Sequence, residues 1–175
     1  MKEETNTHHR RSLRLGDYDY SREGMYFVTL VTYKRIELFG QINDAQMLMN
    51  DYGQLVAREW KQTSILRPNI ELDQVIIMPS HIHGIIAVVE QKGVLQYAPT
   101  KWKSPSQTIG AIIRGFKAAT TTKINALRET PGQTVRQRNY YDHVIRSDED
   151  LYNIRKYIIE NPLSWEYDQE NPVNL

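Results

Sequence analysis

Segment 75–89, VIIMPSHIHGIIAVV, places the strongest constraint on the fold of this chain. Because side chains alternate along a strand, His81 and His83 point to one face and Ile82 to the other. Apolar residues continue on both faces, which predicts a central strand that is covered on each side. Two buried imidazoles on one face are costly unless both are satisfied. A shared metal ion would satisfy both; a pair of hydrogen-bonded core histidines is the alternative. Pro79 and Ser80, just before the pair, indicate a break in the strand.

Periodicity and capping residues predict the remaining elements. Strands are expected over 25–32, 70–78 and 81–89, an extended segment over 140–145 and a short hairpin over 41–50. Helices are expected from Asn50 or Asp51 to 64, from an N-cap at Ser106 to 127, and from 148 to about 161 after an N-cap at Ser147. The order indicates an α+β domain in which helices cover an antiparallel sheet. We divide the chain into a basic, Tyr-rich arm (1–24), the domain (25–165) and an acidic tail (166–175).

Composition narrows the classes of function. The chain has 175 residues and no cysteine, so we expect one domain without disulfides, thiolate metal sites or cysteine catalysis. Its apolar runs are far shorter than the ~20 residues that span a bilayer. Residues 1–14 are polar and lack the apolar core of a secretory signal. We therefore expect a cytoplasmic protein with no membrane partner.

Charge is unevenly distributed along the chain. Residues 101–146 carry nine Lys or Arg against two Asp or Glu, whereas 147–175 carry two against seven. A basic patch suits a polyanion, because each neutralised phosphate releases counterions; a solvated helix face is the alternative. The candidate DNA-binding residues are Arg10, Arg11, Arg14, Arg114, Lys117, Arg136, Arg138, His143 and Arg146. Tyr97 and Trp102 are candidates for stacking on unpaired bases.

The last helix carries a phenol and an amide on one face. Tyr157 and Asn161 are four residues apart, at the edge of an apolar stripe formed by Leu151, Ile154 and Ile158. If the histidine pair holds a divalent cation, Asn161 is a candidate third ligand and Tyr157 a candidate nucleophile toward a phosphate. Mixed nitrogen and oxygen ligation suits Mg²⁺ or Mn²⁺. Packing for Tyr157 and a helix end for Asn161 are the ordinary structural alternatives.

Several segments together resemble the REP-associated tyrosine transposases, a branch of the single-tyrosine HUH transposases. They cover nearly the whole chain: RRSLRL (10–15), DYDYSREGMYFVTLVTYKR (17–35), LFG (38–40), VIIMPSHIHGII (75–86), SQTIGAIIRGFKAATTTKIN (106–125), QRNYYDHVIR (137–146) and YIIENPLSW (157–165). The resemblance implies a ferredoxin-like, RRM-like domain with His81 and His83 as metal ligands. It implies that Tyr157 is the nucleophile and that Asn161 completes the metal shell. One departure is Arg136, where the family pattern has Trp.

The resemblance also implies a substrate and a setting. The expected substrate is single-stranded DNA with hairpins from repetitive extragenic palindromes, cleaved and rejoined through a covalent 5′-phosphotyrosine intermediate. The expected assembly is a monomer or a homodimer in a bacterial cytoplasm, associated with the nucleoid when bound to DNA.

Other interpretations stay open from the sequence alone. Tyr140 and Tyr141 are rival nucleophiles, although Val144 and Ile145, four residues after them, supply no ligand. A non-catalytic nucleic-acid-binding module on the same fold is the second hypothesis, and a metal-dependent hydrolase of small phosphoesters is the third. The acidic tail is either a packing or an autoinhibitory segment.

Overall fold

A computed structural model describes residues 22–89 and 108–174. The elements in chain order are β1 (Gly24–Val31), β2 (Gly40–Asn43), β3 (Gln46–Met49), α1 (Asp51–Ile65), β4 (Ile70–Ile77), β5 (His81–Val88), α2 (Ile109–Leu127), β6 (Tyr141–Ile145) and α3 (Asp148–Glu160). Short 3-10 turns lie at Tyr33–Arg35, Asn161–Tyr167 and Pro172–Asn174. Within this part of the chain, no helix is long and apolar enough to cross a membrane. Arg10, Arg11, Arg14, Tyr97 and Trp102 lie outside the described residues.

The main sheet has four strands in the order β4-β5-β1-β6, with every neighbouring pair antiparallel. Two βαβ units, β1-α1-β4 and β5-α2-β6, interleave to give this order, which is the ferredoxin-like topology. The strand with the histidine pair therefore occupies a central position, as the sequence predicts. The hairpin of β2 and β3 forms a separate two-stranded sheet.

Helices α1 and α2 cover one face of the sheet. The apolar stripe predicted for α2 is buried, and Trp60 of α1 packs edge-on against Phe116 of α2 with ring centroids 5.3 Å apart. Gly84 of β5 allows the Trp60 ring of α1 to lie close to the sheet, since a Cβ at this position would lie 2.4 Å from that ring. The N-cap of α2 is Thr108, whose hydroxyl accepts from the Ala111 N–H; the predicted cap at Ser106 is wrong.

Helix α3 lies on the opposite face, the face of the histidines. Its residue Ile158 is buried against Phe27 of β1 and Ile85 of β5, while Leu151 and Ile154 are partly buried there. Ser147 caps the helix as predicted, with its hydroxyl accepting from the Asp150 N–H at 3.1 Å.

Two side-chain contacts, a hydrogen bond and an ion pair, hold α3 across the sheet. Near its N-terminus, Asp150 lies 2.8 Å from His143 Nε2 on β6. Further along, Arg155 donates to both carboxylate oxygens of Asp73 on β4. Because β4 and β6 are the two edge strands, these contacts hold α3 at opposite edges of the sheet.

Arg136 is buried in the domain instead of facing solvent. Only 4% of it is exposed, and its guanidinium lies between the rings of Phe39 and Phe116, at 5.4 and 5.0 Å from their centroids. It donates to Thr120 of α2, and burial lowers its pKa to about 9. The predicted phosphate contact of Arg136 is therefore wrong in this fold. A flat group stacked between two rings is compatible with the Trp of the family pattern.

Candidate metal and nucleophile site

His81 and His83 lie on one face of β5, as strand alternation predicts. Their rings are 4.3 Å apart, with 0% and 3% of the two residues exposed. Pro79 and Ser80, which precede them, form the turn between β4 and β5. Burial lowers the pKa of both histidines, and for His83 the neighbouring His81 adds to this effect. Both imidazoles are therefore neutral at pH 7.

His83 is held by hydrogen bonds at both ring nitrogens. Its Nδ1 lies 2.8 Å from Oγ1 of Thr29, the residue directly opposite on β1. Its Nε2 lies 3.1 Å from the hydroxyl of Tyr157. Both contacts fit the tautomer with the ring proton on Nδ1, in which Nδ1 donates to Thr29 and Nε2 accepts from the Tyr157 hydroxyl. In this tautomer the Nε2 lone pair of His83 faces the site.

His81 has the same arrangement. Its Nδ1 lies 3.4 Å from the hydroxyl of Ser80, which in turn donates to the carbonyl of Glu170 at 2.6 Å. Its buried Nε2 has no hydrogen-bond partner among the described residues and lies 3.9 Å from the carboxylate of Asp168. Two hydroxyls thus orient the pair so that both Nε2 lone pairs point into one space, the arrangement by which metal-ligating histidines are usually fixed.

Asn161 adds a second buried acceptor. The residue is 2% exposed, its amide NH₂ donates to Asp168 at 3.2 Å, and within residues 22–89 and 108–174 its Oδ1 accepts no hydrogen bond. An unpaired buried acceptor costs about 1–3 kcal/mol, which a cation bound at that oxygen would offset. Candidate ligand atoms of His81, His83 and Asp168 lie within 4.8 Å of one another. These nitrogen and oxygen ligand atoms fit a divalent cation.

The segment after α3 brings Asp168 to the pair. Trp165 is buried with its ring 5.9 Å from that of His81, and Glu170 accepts from Arg35 Nε at 2.7 Å. Residues 166–174, assigned by sequence to an acidic tail, therefore pack on the domain, which is one of the two roles left open. Sequence reasoning missed Asp168; the large apolar Trp165 at the assigned boundary was the available signal.

Tyr157 is the tyrosine that meets the histidine pair. It is 47% exposed, and burial together with the Asp168 charge raises the pKa of its hydroxyl above the ordinary value. Its ring lies 5.1 Å from the His83 ring. Of the two rivals on or beside β6, Tyr140 packs against the core under α1 and α2, and Tyr141 lies on the histidine face with half of its surface exposed.

The basic candidates divide into exposed residues and residues with internal partners. Arg114, Arg138 and Arg146 are exposed. Lys117 instead donates to the carbonyls of Gln137 and Arg138, and burial lowers its pKa to about 8. His143 is paired with Asp150. Of the candidates, these three exposed arginines are thus accessible to a polyanion.

Two Haemophilus influenzae proteins resemble this chain over most of its length. No family model matches the chain. A Haemophilus influenzae protein, named only as uncharacterized, is 43% identical over 169 residues, which is 93% of each chain. The chain belongs to one family with this protein. A second Haemophilus influenzae protein, named "Putative REP-associated tyrosine transposase", is 27% identical over 152 residues, or 85% of this chain and 76% of that protein.

A solved structure of a REP-associated tyrosine transposase bound to a REP hairpin has the same fold. The TM-score is 0.60 at 18% identity, over 91% of this chain and 77% of that one. The resemblance to the REP-associated tyrosine transposases is confirmed. The α+β fold class with an antiparallel sheet is confirmed as well.

Proposed function

We propose that this protein cleaves and rejoins single-stranded DNA at hairpin-bearing sequences, with Tyr157 as the nucleophile. The similarity to REP-associated tyrosine transposases supports a transposase-like function. The observation that carries the finer proposal is the 3.1 Å contact between the Tyr157 hydroxyl and His83 Nε2. Beside it lie His81 Nε2 and Asn161 Oδ1, two buried acceptors without a partner in the described part of the chain.

The site has a donor set for one divalent cation. The ligands would be Nε2 of His81 and His83, the Asp168 carboxylate and Oδ1 of Asn161. When bound, Mg²⁺ or Mn²⁺ supplies Lewis-acid polarisation of a phosphate. Because Nε2 of His83 has a single lone pair, ligation there replaces its hydrogen bond to Tyr157.

The covalent step uses Tyr157 alone. Its hydroxyl oxygen attacks the phosphorus, and the bond from phosphorus to the 3′ oxygen breaks. The tyrosine proton passes to solvent, which reaches this half-exposed side chain, and the departing 3′ oxygen takes a proton from solvent. The product is a 5′-phosphotyrosine ester. Because one phosphate ester replaces another, attack by a 3′ hydroxyl reverses the step and rejoins a strand.

The expected working assembly is a monomer or a homodimer, as the resemblance implies. DNA contacts are assigned to the exposed arginines Arg114, Arg138 and Arg146, with Arg10, Arg11 and Arg14 of the arm as further candidates. With such a DNA substrate, we expect the protein in a bacterial cytoplasm, associated with the nucleoid when it is bound to DNA.

The deciding experiment is a search for a covalent adduct. Wild-type protein is incubated with a hairpin-bearing single strand and Mg²⁺ or Mn²⁺, then run on a denaturing gel. We expect an adduct that is lost in Tyr157→Phe and kept in Tyr140→Phe and Tyr152→Phe, two tyrosines away from the pair. Tight binding without any adduct in the intact protein would instead support the non-catalytic DNA-binding module. Turnover of a small phosphodiester by Tyr157→Phe would support the phosphoesterase.

A further inference from the structure

A row of rings extends from the nucleophile to the edge of the sheet. The Tyr157 ring meets the His83 ring at 5.1 Å, and His83 stacks on Phe27 at 5.4 Å. Phe27 contacts Tyr141 of β6 edge-on at 6.3 Å. Tyr141 and His83 both pair with Thr29, from opposite sides of β1, so their Cα atoms are two strand spacings apart, about 10 Å.

Tyr141 is the solvent-exposed end of this row of rings. Phe27 is 8% exposed, whereas Tyr141 is 49% exposed. Helix α3 packs over the other end of β6, at Ile145, and leaves Tyr141 uncovered. Arg138, which is exposed, lies three residues before it at the same end of the strand. An exposed aromatic face with a cation nearby is the arrangement that holds single-stranded nucleic acid, because bases stack on the ring while the cation meets the backbone.

We propose that Tyr141 is a substrate-binding residue whose ring stacks on an unpaired base beside the phosphate that Tyr157 attacks. The inference rests on the proposed function and adds a requirement to it. Only an unpaired base can present its face to a side chain, so the DNA next to the cleaved phosphate must be single-stranded at this position.

Two other roles for Tyr141 make different predictions. If the residue only shields Phe27 from water, any large apolar side chain serves, and Tyr141→Leu behaves as wild type. If its hydroxyl reacts or hydrogen-bonds to DNA, Tyr141→Phe fails. Base stacking requires the ring and not the hydroxyl, so Tyr141→Leu fails and Tyr141→Phe restores binding.

The test places 2-aminopurine, whose fluorescence is quenched by stacking, in a synthetic DNA hairpin with single-stranded extensions on both sides. Each nucleotide of the extensions is replaced in turn, and the protein carries Tyr157→Phe so that no cleavage interferes. We expect one position, adjacent to the phosphate mapped with the wild-type adduct, to be quenched on binding. Tyr141→Leu loses this quenching and binds about 5- to 150-fold more weakly, and Tyr141→Phe restores both. The control Tyr152→Ala, an exposed tyrosine of α3, changes neither.

Kinetics with Tyr157 intact give an independent readout. Tyr141→Leu raises the DNA concentration needed for half-maximal adduct formation and leaves the rate at saturation little changed. Unchanged quenching and affinity in Tyr141→Leu would overturn the inference, as would an equal loss in Tyr141→Phe. If the proposed function itself fails, the wild type forms no adduct. The 2-aminopurine binding assay then still shows whether the Tyr141 ring stacks on a base.

Discussion

The hydroxyl of Tyr157 lies 3.1 Å from Nε2 of His83, although 74 positions separate the two residues. Strand alternation fixes one side of this contact, because it points His83 toward α3. The position of α3 fixes the other side, through the buried Ile158 and the pairs to Asp73 and His143 at opposite edges of the sheet. The proposed nucleophile thus lies on a helix held against the sheet and not on a loop.

Removal of the Asp168 carboxylate is expected to weaken cation binding. Asp168→Asn keeps the shape of the side chain but removes the charge that lies 3.9 Å from His81 Nε2. We expect Mn²⁺ affinity, measured by calorimetry, to fall at least about tenfold. Glu166→Gln, an exposed acid two residues earlier, is the matched control and should bind as wild type. Equal affinities in Asp168→Asn and wild type would remove Asp168 from the ligand set.

Thr29 is expected to act on the site through His83. Thr29→Val keeps the shape of the side chain but removes the acceptor for Nδ1, so the ring can take the tautomer with its proton on Nε2. We expect Mn²⁺ affinity to fall about 10- to 100-fold. Thr29→Ser, which keeps the hydroxyl, should recover most of the loss. A purely structural role would lower the unfolding temperature of Thr29→Val and leave its Mn²⁺ affinity unchanged.

The site could be predicted from sequence where local periodicity determines it. Alternation in β5 paired the histidines, and helical spacing placed Tyr157 and Asn161 on one face. Thr29 and Asp168 carried no such signal, because one meets His83 through strand register and the other through a turn after the helix. Fifty-four positions separate Thr29 from His83, and sequence spacing alone does not report such a contact.

Sequence spacing alone also does not predict which of the basic residues are exposed. Arg136 and Arg138 are both DNA-binding candidates from sequence, yet Arg136 is buried and Arg138 is exposed. Arg136 pairs with Thr32 at the end of β1, while Lys117 binds the carbonyls of the two residues that follow. Tertiary contacts on either side of this short segment decide which arginine reaches solvent.

Replacement of these two arginines separates packing from DNA binding. Arg136→Met removes a buried cation whose Nε and Nη2 have no partners among the residues that the structure describes. We therefore expect unchanged or higher stability and unchanged DNA affinity. Arg138→Ala should leave stability unchanged and lower the slope of log affinity against log salt by about 0.7–0.9, the effect of one lost phosphate contact. Binding titrations at several salt concentrations and urea unfolding measure both. A loss of DNA affinity in Arg136→Met as large as that in Arg138→Ala would contradict the buried assignment.

The metal-free protein is expected to lose stability in mild acid. Burial lowers the pKa of both histidines in the folded state, whereas the unfolded chain titrates near 6.5. The unfolded state therefore binds more protons as the pH falls through 6.5, and unfolding becomes more favourable. We expect the unfolding temperature to drop between pH 7 and pH 5, with a shallower drop in His83→Gln. An identical pH dependence of the two proteins would show that His83 is not the origin of the effect.

Gly84 is expected to tolerate no side chain. It lies in the same strand as His81 and His83, the proposed metal ligands, and faces away from them. A Cβ at Gly84 would lie 2.4 Å from the ring of Trp60, which is 1% exposed and packed against Phe116. Gly84→Ala should lower the free energy of unfolding in urea by about 1–3 kcal/mol, because the tryptophan cannot move without disturbing its neighbours. Trp60→Phe, with a smaller ring, should reduce this loss in the double variant.

Gly115→Ala is the matched control. Its Cβ meets only the end of the Arg67 side chain, and α2 gains helix propensity, so that variant should be at least as stable as wild type. Wild-type stability in Gly84→Ala would mean that the contact between β5 and α1 is looser than the structure has it.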